Sequence, residues 1–372
     1  MVDERANARM RGVLEDLVAG GAELGLQLAV YRGGELVVDT WAGVADRATR
    51  RPVDGETLFT VFSTSKGITA TCVHMLAERG QIDYDAPIAR YWPEFARNGK
   101  ERATVRDALT HRAGVPLLPP NATPEQLRDW DGMCAYLAAE VPSWSPGTQS
   151  GYHAFTYGWL LGELVRRADG RPIARFVQEE LGRPLGWPDF YFGIPDAVEP
   201  RVATLEWVTD PPEVVPEPGS LAERQIPLGS LDWFNRPDVR RASLPGAGGI
   251  TTARWLARHY AALIGEVDGV RLLPPARIKA ATAPQYDGPD FISGLAARRA
   301  LGYSLGGLPH APMGPRASAF GHGGAGGSLG YADPERGLAV GFAKTLLTRH
   351  PDLSTSHTLR VMDRLRETLG AT

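Results

Sequence analysis

Ser63 and Lys66 stand three positions apart in Phe62-Ser63-Thr64-Ser65-Lys66, where the sequence turns helical. Residues three apart share one helix face, so the amine falls within reach of the hydroxyl. A serine hydroxyl is a weak nucleophile at its free pKa and needs an adjacent base. A helix N-terminus adds free N–H groups and a positive dipole end, which suit an oxyanion. The lysine is itself informative. Of 40 basic residues only Lys66, Lys100, Lys279 and Lys344 are lysines, so arginine serves wherever a plain surface charge is enough. Arginine keeps its proton in a protein, whereas a partly buried lysine can release it, as a base must. Taken alone, the pair also matches a serine near a helix start with an unrelated lysine, and the rest of the chain has to decide.

Three further stretches supply that context. Thr104-Val105-Arg106-Asp107-Ala108-Leu109-Thr110-His111-Arg112-Ala113-Gly114-Val115 follows about 40 residues on, Pro146-Gly147-Thr148-Gln149-Ser150-Gly151-Tyr152 sits ahead of a helix, and His322-Gly323-Gly324-Ala325-Gly326-Gly327-Ser328-Leu329-Gly330 lies near the end. In this order and at these separations they resemble the serine β-lactamase and penicillin-binding-protein superfamily, most closely its class C-like branch with the family VIII carboxylesterases. The resemblance runs from about residue 25 to residue 345. It implies an α+β, β-lactamase/transpeptidase-like fold with the site in a cleft. It implies Ser63 as nucleophile, Lys66 as its partner in proton transfer, and Tyr152, matching the tyrosine of the Tyr-x-Asn element, as base toward the serine and acid toward the leaving group. His322, Gly323 and Gly324 take the place of the Lys-Thr-Gly strand element, and the N–H groups of Ser63 and Ala325 would form the oxyanion hole. An ordinary phenol ionises near pH 10, so a basic Tyr152 needs positive charge nearby, for which Lys66 is the expected source. Whether Lys66 is a neutral base or a charge that lowers the Tyr152 pKa stays open at this level.

Two departures narrow the substrate. Ala154 replaces the asparagine of the tyrosine element, and His322 replaces the lysine of the strand element. A histidine is mostly neutral at pH 7, so both changes weaken the grip on a β-lactam's carboxylate and amide. The expectation is a carboxylesterase-type serine hydrolase acting on short- to medium-chain esters through an acyl-serine, with no metal or organic cofactor. An acyltransferase passing the acyl group to an alcohol or amine, and a penicillin-binding-like sensor without turnover, are the alternatives. A pure binder has no need of a lysine where arginine is the rule.

Other matches point elsewhere. Gly326-Gly327-Ser328-Leu329-Gly330 fits the Gly-x-Ser-x-Gly elbow of α/β-hydrolases, but that elbow needs a helix after the serine, and here a turn and an apolar strand follow. Asp333 and His350 come in triad order, yet too close in the chain for that fold. Gly321-x-Gly323-x-x-Gly326 fits a dinucleotide fingerprint without its helix or its acidic residue. The eight histidines are scattered and show no metal-ligand spacing. With 43 acidic residues against 40 basic ones, nothing favours a polyanion partner, and nucleic acid binding is not expected. The polar start, the lack of about 18 consecutive apolar residues and only two cysteines, Cys72 and Cys134, lead to the expectation of a cytoplasmic protein with buried thiols, acting on a small-molecule ester and not on a membrane.

The elements that must position these groups follow from periodicity. Residues 3–19 predict an amphipathic helix; 24–31 and 35–41 predict two strands around Arg32-Gly33-Gly34. Helices are expected over 63–78, 105–110, 130–140, 154–167, 252–264 and 354–369, and strands over 302–305, 317–321, 328–332 and 338–344. At about 100 to 200 residues per domain, 372 residues support two lobes. Residues 1–60 and 245–372 are expected to build an antiparallel sheet flanked by helices, with 61–244 inserted as a mainly helical lobe. The hydroxyl, amine and phenol would come from two helices and meet at an edge strand between the lobes. The Pro-rich stretch 196–235 reads as a long irregular loop, with Trp207, Trp233 and Phe234 as candidates for the substrate pocket.

Overall fold

The computed structural model describes residues 2–186, 188–208, 217, 219–226, 229–347 and 356–370. Asp3 opens the first helix, α1 (Glu4–Ala19), its carboxylate accepting the Ala6 N–H at 3.0 Å, and Met10, Leu14 and Leu17 form its buried stripe. Strands β1 (Gly25–Arg32) and β2 (Glu35–Asp46) form a hairpin turned by Gly33 and Gly34, both at positive φ, and β3 (Arg51–Pro52) follows. The helices α2 (Ser65–Glu78), α3 (Thr156–Asp169) and α4 (Ala253–Ile264) carry the middle of the chain. Then come β4 (Tyr286–Pro289), β5 (Ala296–Arg299), β6 (Ser304–Leu305), β7 (Phe320–Gly323), β8 (Leu329–Asp333), β9 (Leu338–Lys344) and the last helix, α5 (His357–Thr368).

Nine strands form one antiparallel sheet in the order β3-β2-β1-β9-β8-β7-β6-β5-β4, so the first and last parts of the chain meet at β1 and β9, from Leu26 opposite Lys344 to Arg32 opposite Leu338. Side chains alternate across the pleat, and the two faces differ in size. Leu26, Leu28, Val30, Val340 and Phe342 meet α1 and α5 on one face. On the other, Ala29, Ala339 and Ala343 are small, and α4 lies close against them. Gly341 marks the closest approach, since any side chain there would strike the Ala253 carbonyl and the Ala257 amide. Among the described residues no helix is long and apolar enough to cross a membrane. Both thiols, Cys72 and Cys134, are free and buried.

The structure departs from expectation at four places. The central helix begins at Ser65, leaving Ser63 in the turn before it. The stretch 196–235 is not featureless: it holds 3-10 turns at Asp196–Arg201 and Ser230–Asn235, a short strand at Glu206–Trp207 and a helix at Leu221–Gln225. Residues 209–216, 218, 227 and 228 of that stretch lie outside the described residues, as do the expected helix start at Ser354 and the decoy His350. The β4–β5 hairpin escapes periodicity because its strands are charged and glycine-bearing, with no alternation to read. That hairpin and β6 extend the sheet beyond β7, which is therefore an inner strand. Even so, β6 meets β7 only at Phe320 and Gly321, so over His322 and Gly323 β7 pairs with β8 alone.

Replacing Gly341 with Ala should wedge α4 from the sheet and lower stability by about 1–3 kcal/mol, the usual cost of overpacking, as measured by denaturant unfolding. An unchanged midpoint would mean the helix–sheet contact yields freely.

Candidate active site

The turn before α2 is strained and tied down. Phe62 has φ of 45°, an unusual conformation for a bulky residue. Its ring is held edge-on against Phe234 at 5.1 Å between centroids. From that turn Ser63 projects partly exposed, and Lys66 N–H donates to the Ser63 carbonyl at 3.0 Å, closing the link to the helix. The side chains meet as the spacing predicts, with Lys66 Nζ 3.0 Å from Ser63 Oγ.

Lys66 is fully buried, and its amine also donates to the Ala154 carbonyl at 2.6 Å and the Gly246 carbonyl at 2.7 Å. Two further bonds align that second acceptor: Thr69 Oγ1 donates to the Pro245 carbonyl at 2.8 Å, and Gly249 N–H donates to Ser65 Oγ at 2.9 Å. Burial holds the amine well below the usual lysine range. A neutral amine has two N–H groups, which the two carbonyls take, and its lone pair then faces the serine hydroxyl.

Tyr152 lies in the non-helical segment ahead of α3, not on a helix: the chain turns at Gly147, at positive φ, and the helix starts only at Thr156. Its ring sits beneath Lys66 Nζ at 4.7 Å from the centroid and packs on His111 at 4.8 Å. Burial pushes the phenol pKa up, outweighing the hydrogen bond with Ser63 and the charge of Arg299, which act in the opposite direction. Of the two roles the sequence leaves open for Lys66, the neutral base fits this burial: in a site this dry, desolvation disfavours both the phenolate and the ammonium.

Sequence reading missed what holds Tyr152 in place. Its backbone N–H donates to Asp290 Oδ2 at 2.8 Å, and the same oxygen takes Arg299 Nη2 at 2.5 Å. Arg299 Nη1 reaches Ser150 Oγ at 2.6 Å, and Ser150 Oγ donates to the Thr110 carbonyl at 2.9 Å. Both charged residues are buried, at the two ends of the β4–β5 hairpin. No motif marks them, because arginine is the default cation of this chain. His111 contributes from the other side: its Nδ1 accepts the His153 N–H at 3.0 Å, which fixes the neutral tautomer.

At the strand element, burial pushes the His322 pKa down to about 3, and its Nδ1–H donates to the Gly323 carbonyl at 2.7 Å. His322 stacks on Tyr152 at 6.1 Å. Gly324 abuts the serine turn so closely that a side chain would strike the Val61 carbonyl and Ser328 Oγ. Ser328 Oγ donates to the Val61 carbonyl at 2.8 Å and bonds Thr64 Oγ1 at 3.2 Å, and β8 follows it where an elbow would need a helix. This serine clamps the two turns together. Ala325 opens the next turn, and among the described residues neither its N–H nor that of Ser63 has a protein acceptor.

A cavity of about 520 Å³ opens beside Tyr152, His111, His322 and Gly323 and runs along β5 and β6 to Leu308 and Met313. Trp207, Trp233 and Phe234 are not in its walls. The Trp207 Nε1–H donates to Asp232, and Phe234 is buried against Phe62 and Phe155. Phe234 braces the serine turn from behind through Phe62, and this cavity is lined instead by residues 295–299 of the β4–β5 hairpin. Among the described residues no three His, Cys, Asp or Glu side chains gather to hold a metal ion.

Burial alone raises the Asp290 pKa, but the Ser293 amide and the Arg299 guanidinium outweigh it and hold the carboxyl below its usual value. A depressed folded pKa contributes stability present above the unfolded value, about 3.9, and lost as pH falls through the folded one. Asp290→Asn should remove that acid-side loss and, by leaving Arg299 buried without its carboxylate, cost about 3–5 kcal/mol in denaturant unfolding at pH 7. A loss under about 1 kcal/mol would show that the pair is not a structural tie.

A family model described as beta-lactamase matches residues 10–360. The chain is 38% identical over 357 residues to the esterase/beta-lactamase LipL of Mycobacterium tuberculosis, covering 89% of this chain and 79% of that protein. Among solved structures, a penicillin-binding protein homolog from Caulobacter crescentus superposes with a TM-score of 0.89 at 36% identity, covering 99% of both chains. A family VIII carboxylesterase superposes with a TM-score of 0.88 at 32% identity, again covering 99% of both. With nearly its whole length matched, the chain belongs to the β-lactamase family and is an enzyme of the β-lactamase/esterase superfamily.

Proposed function

We propose that this protein is a serine hydrolase that cleaves short- to medium-chain carboxylic esters through an acyl-serine intermediate. The observation that carries the reading is the buried Lys66 amine, 3.0 Å from Ser63 Oγ and bound to two carbonyls. Ser63 Oγ attacks the ester carbonyl carbon and its proton passes to Lys66. The N–H groups of Ser63 and Ala325 face the oxyanion. As the bond to the alcohol oxygen breaks, Tyr152 gives its proton to the departing alkoxide, and Lys66 then restores the proton to Tyr152. In the second half, water attacks the acyl carbon and yields a proton to Tyr152, Tyr152 passes its own to Lys66, and Lys66 returns it to Ser63 Oγ as the acid leaves.

The likeness to an esterase/beta-lactamase and to a family VIII carboxylesterase supports this class. Esters are favoured over β-lactams because the strand element offers a neutral imidazole where a carboxylate would need a cation. At position 154 the side chain is a buried methyl group, and only the carbonyl takes part, as an acceptor for Lys66.

Ser63→Ala should abolish turnover of p-nitrophenyl butyrate, whereas Ser328→Ala, which loosens a clamp, should retain a measurable fraction; the opposite pattern would overturn the assignment. Lys66→Arg should lower kcat by about 10²–10⁴-fold, the usual worth of a general base, because guanidinium accepts no proton. Near-normal activity in that variant would leave Lys66 a structural part only.

A further inference from the structure

We infer that the cavity beside Tyr152 receives the alcohol half of the ester, and that it selects an uncharged, apolar alcohol. The inference rests on the proposed hydrolase reading, in which Tyr152 protonates the departing oxygen. The cavity walls include Tyr152, His322 and Gly323 but neither Ser63 nor Ala325. An ester whose carbonyl carbon faces Ser63 and whose carbonyl oxygen faces those two amides therefore directs its alcohol oxygen to Tyr152, and whatever is attached to that oxygen continues into the cavity.

The walls say what that group is. Leu109, Leu295, Leu305, Leu308, Met313 and Leu329 make most of the space apolar, and about 520 Å³ lies within the common range for small-molecule pockets. The charges on the wall are already matched. Arg298 pairs with Asp287 at 2.9 Å and donates to the Gly306 carbonyl at 2.7 Å, and Arg299 pairs with Asp290. An anionic alcohol portion would meet paired guanidinium groups and neutral imidazoles, so its desolvation would go uncompensated. The mouth is open and apolar as well: Leu295, on the cavity wall at the tip of the β4–β5 hairpin, is 69% exposed, which lets a chain longer than the cavity run out to solvent.

Two isomeric esters test this with the unmodified enzyme. Octyl acetate and ethyl octanoate contain the same atoms and differ only in which half is long, and both release a simple primary alcohol. Ethyl acetate is the reference, with Ser63→Ala as the control. The expected result is kcat/KM for octyl acetate at least tenfold above that for ethyl octanoate. Ala297→Trp, which fills the cavity from β5, should lower the octyl acetate rate far more than the ethyl acetate rate. Equal or reversed preference with Ser63-dependent turnover overturns the inference and leaves the hydrolase reading standing. Absence of Ser63-dependent turnover of all three esters takes both down.

Discussion

Removing the amine of Lys66 from water is the constraint on which the rest of the site depends. A buried ammonium is costly, and a protein that buries one must either pair it or let it lose its proton. Here no carboxylate is among its bonded partners, which are two main-chain carbonyls and the Ser63 hydroxyl. Those carbonyls come from residues 154 and 246, far apart in the chain. The position of one nitrogen therefore requires α2, the segment before α3 and the turn before α4 to be packed correctly at once. Carbonyls hold the amine without fixing its charge, which is what proton transfer demands.

The same dryness sets the other groups. Tyr152 is kept protonated and His322 neutral by burial, so the cleft holds polar atoms but little net charge. The charge that is present, Asp290 with Arg299, works through the backbone: it anchors the Tyr152 N–H and joins the β4–β5 hairpin to the segment ahead of α3. The hairpin thus serves two ends, positioning the phenol with one side and walling the cavity with the other. On the far side of the serine, Gly324 and the clamp through Ser328 bring the strand turn against the serine turn.

How much of this was legible in the sequence varied with the physics of each part. The spacing of Ser63 and Lys66 carried their contact correctly even though the helix begins later, because Lys66 N–H closes onto the Ser63 carbonyl in a tight turn of similar reach. Helices with strong apolar periodicity, such as α1 and α4, were readable to within a residue or two. The β4–β5 hairpin was not, since charged strands held by backbone pairing leave no hydrophobic pattern. Its ion pair was equally hidden, because Arg299 is one arginine among many and nothing local distinguishes it. The aromatic residues of the 196–235 stretch drew attention through composition, but Phe234 turned out to be packing for the strained Phe62. Trp207 and Trp233 also stand apart from the cavity.

The most direct measurement is mass spectrometry with peptide mapping on protein quenched in acid during ester turnover, repeated across a range of pH. The account predicts the acyl mass on the peptide carrying Ser63, accumulating faster as pH rises through an inflection well below the usual lysine range, as Lys66 gives up its proton. An acyl group on another residue, or acylation of Ser63 that sets in only near pH 10, would contradict it.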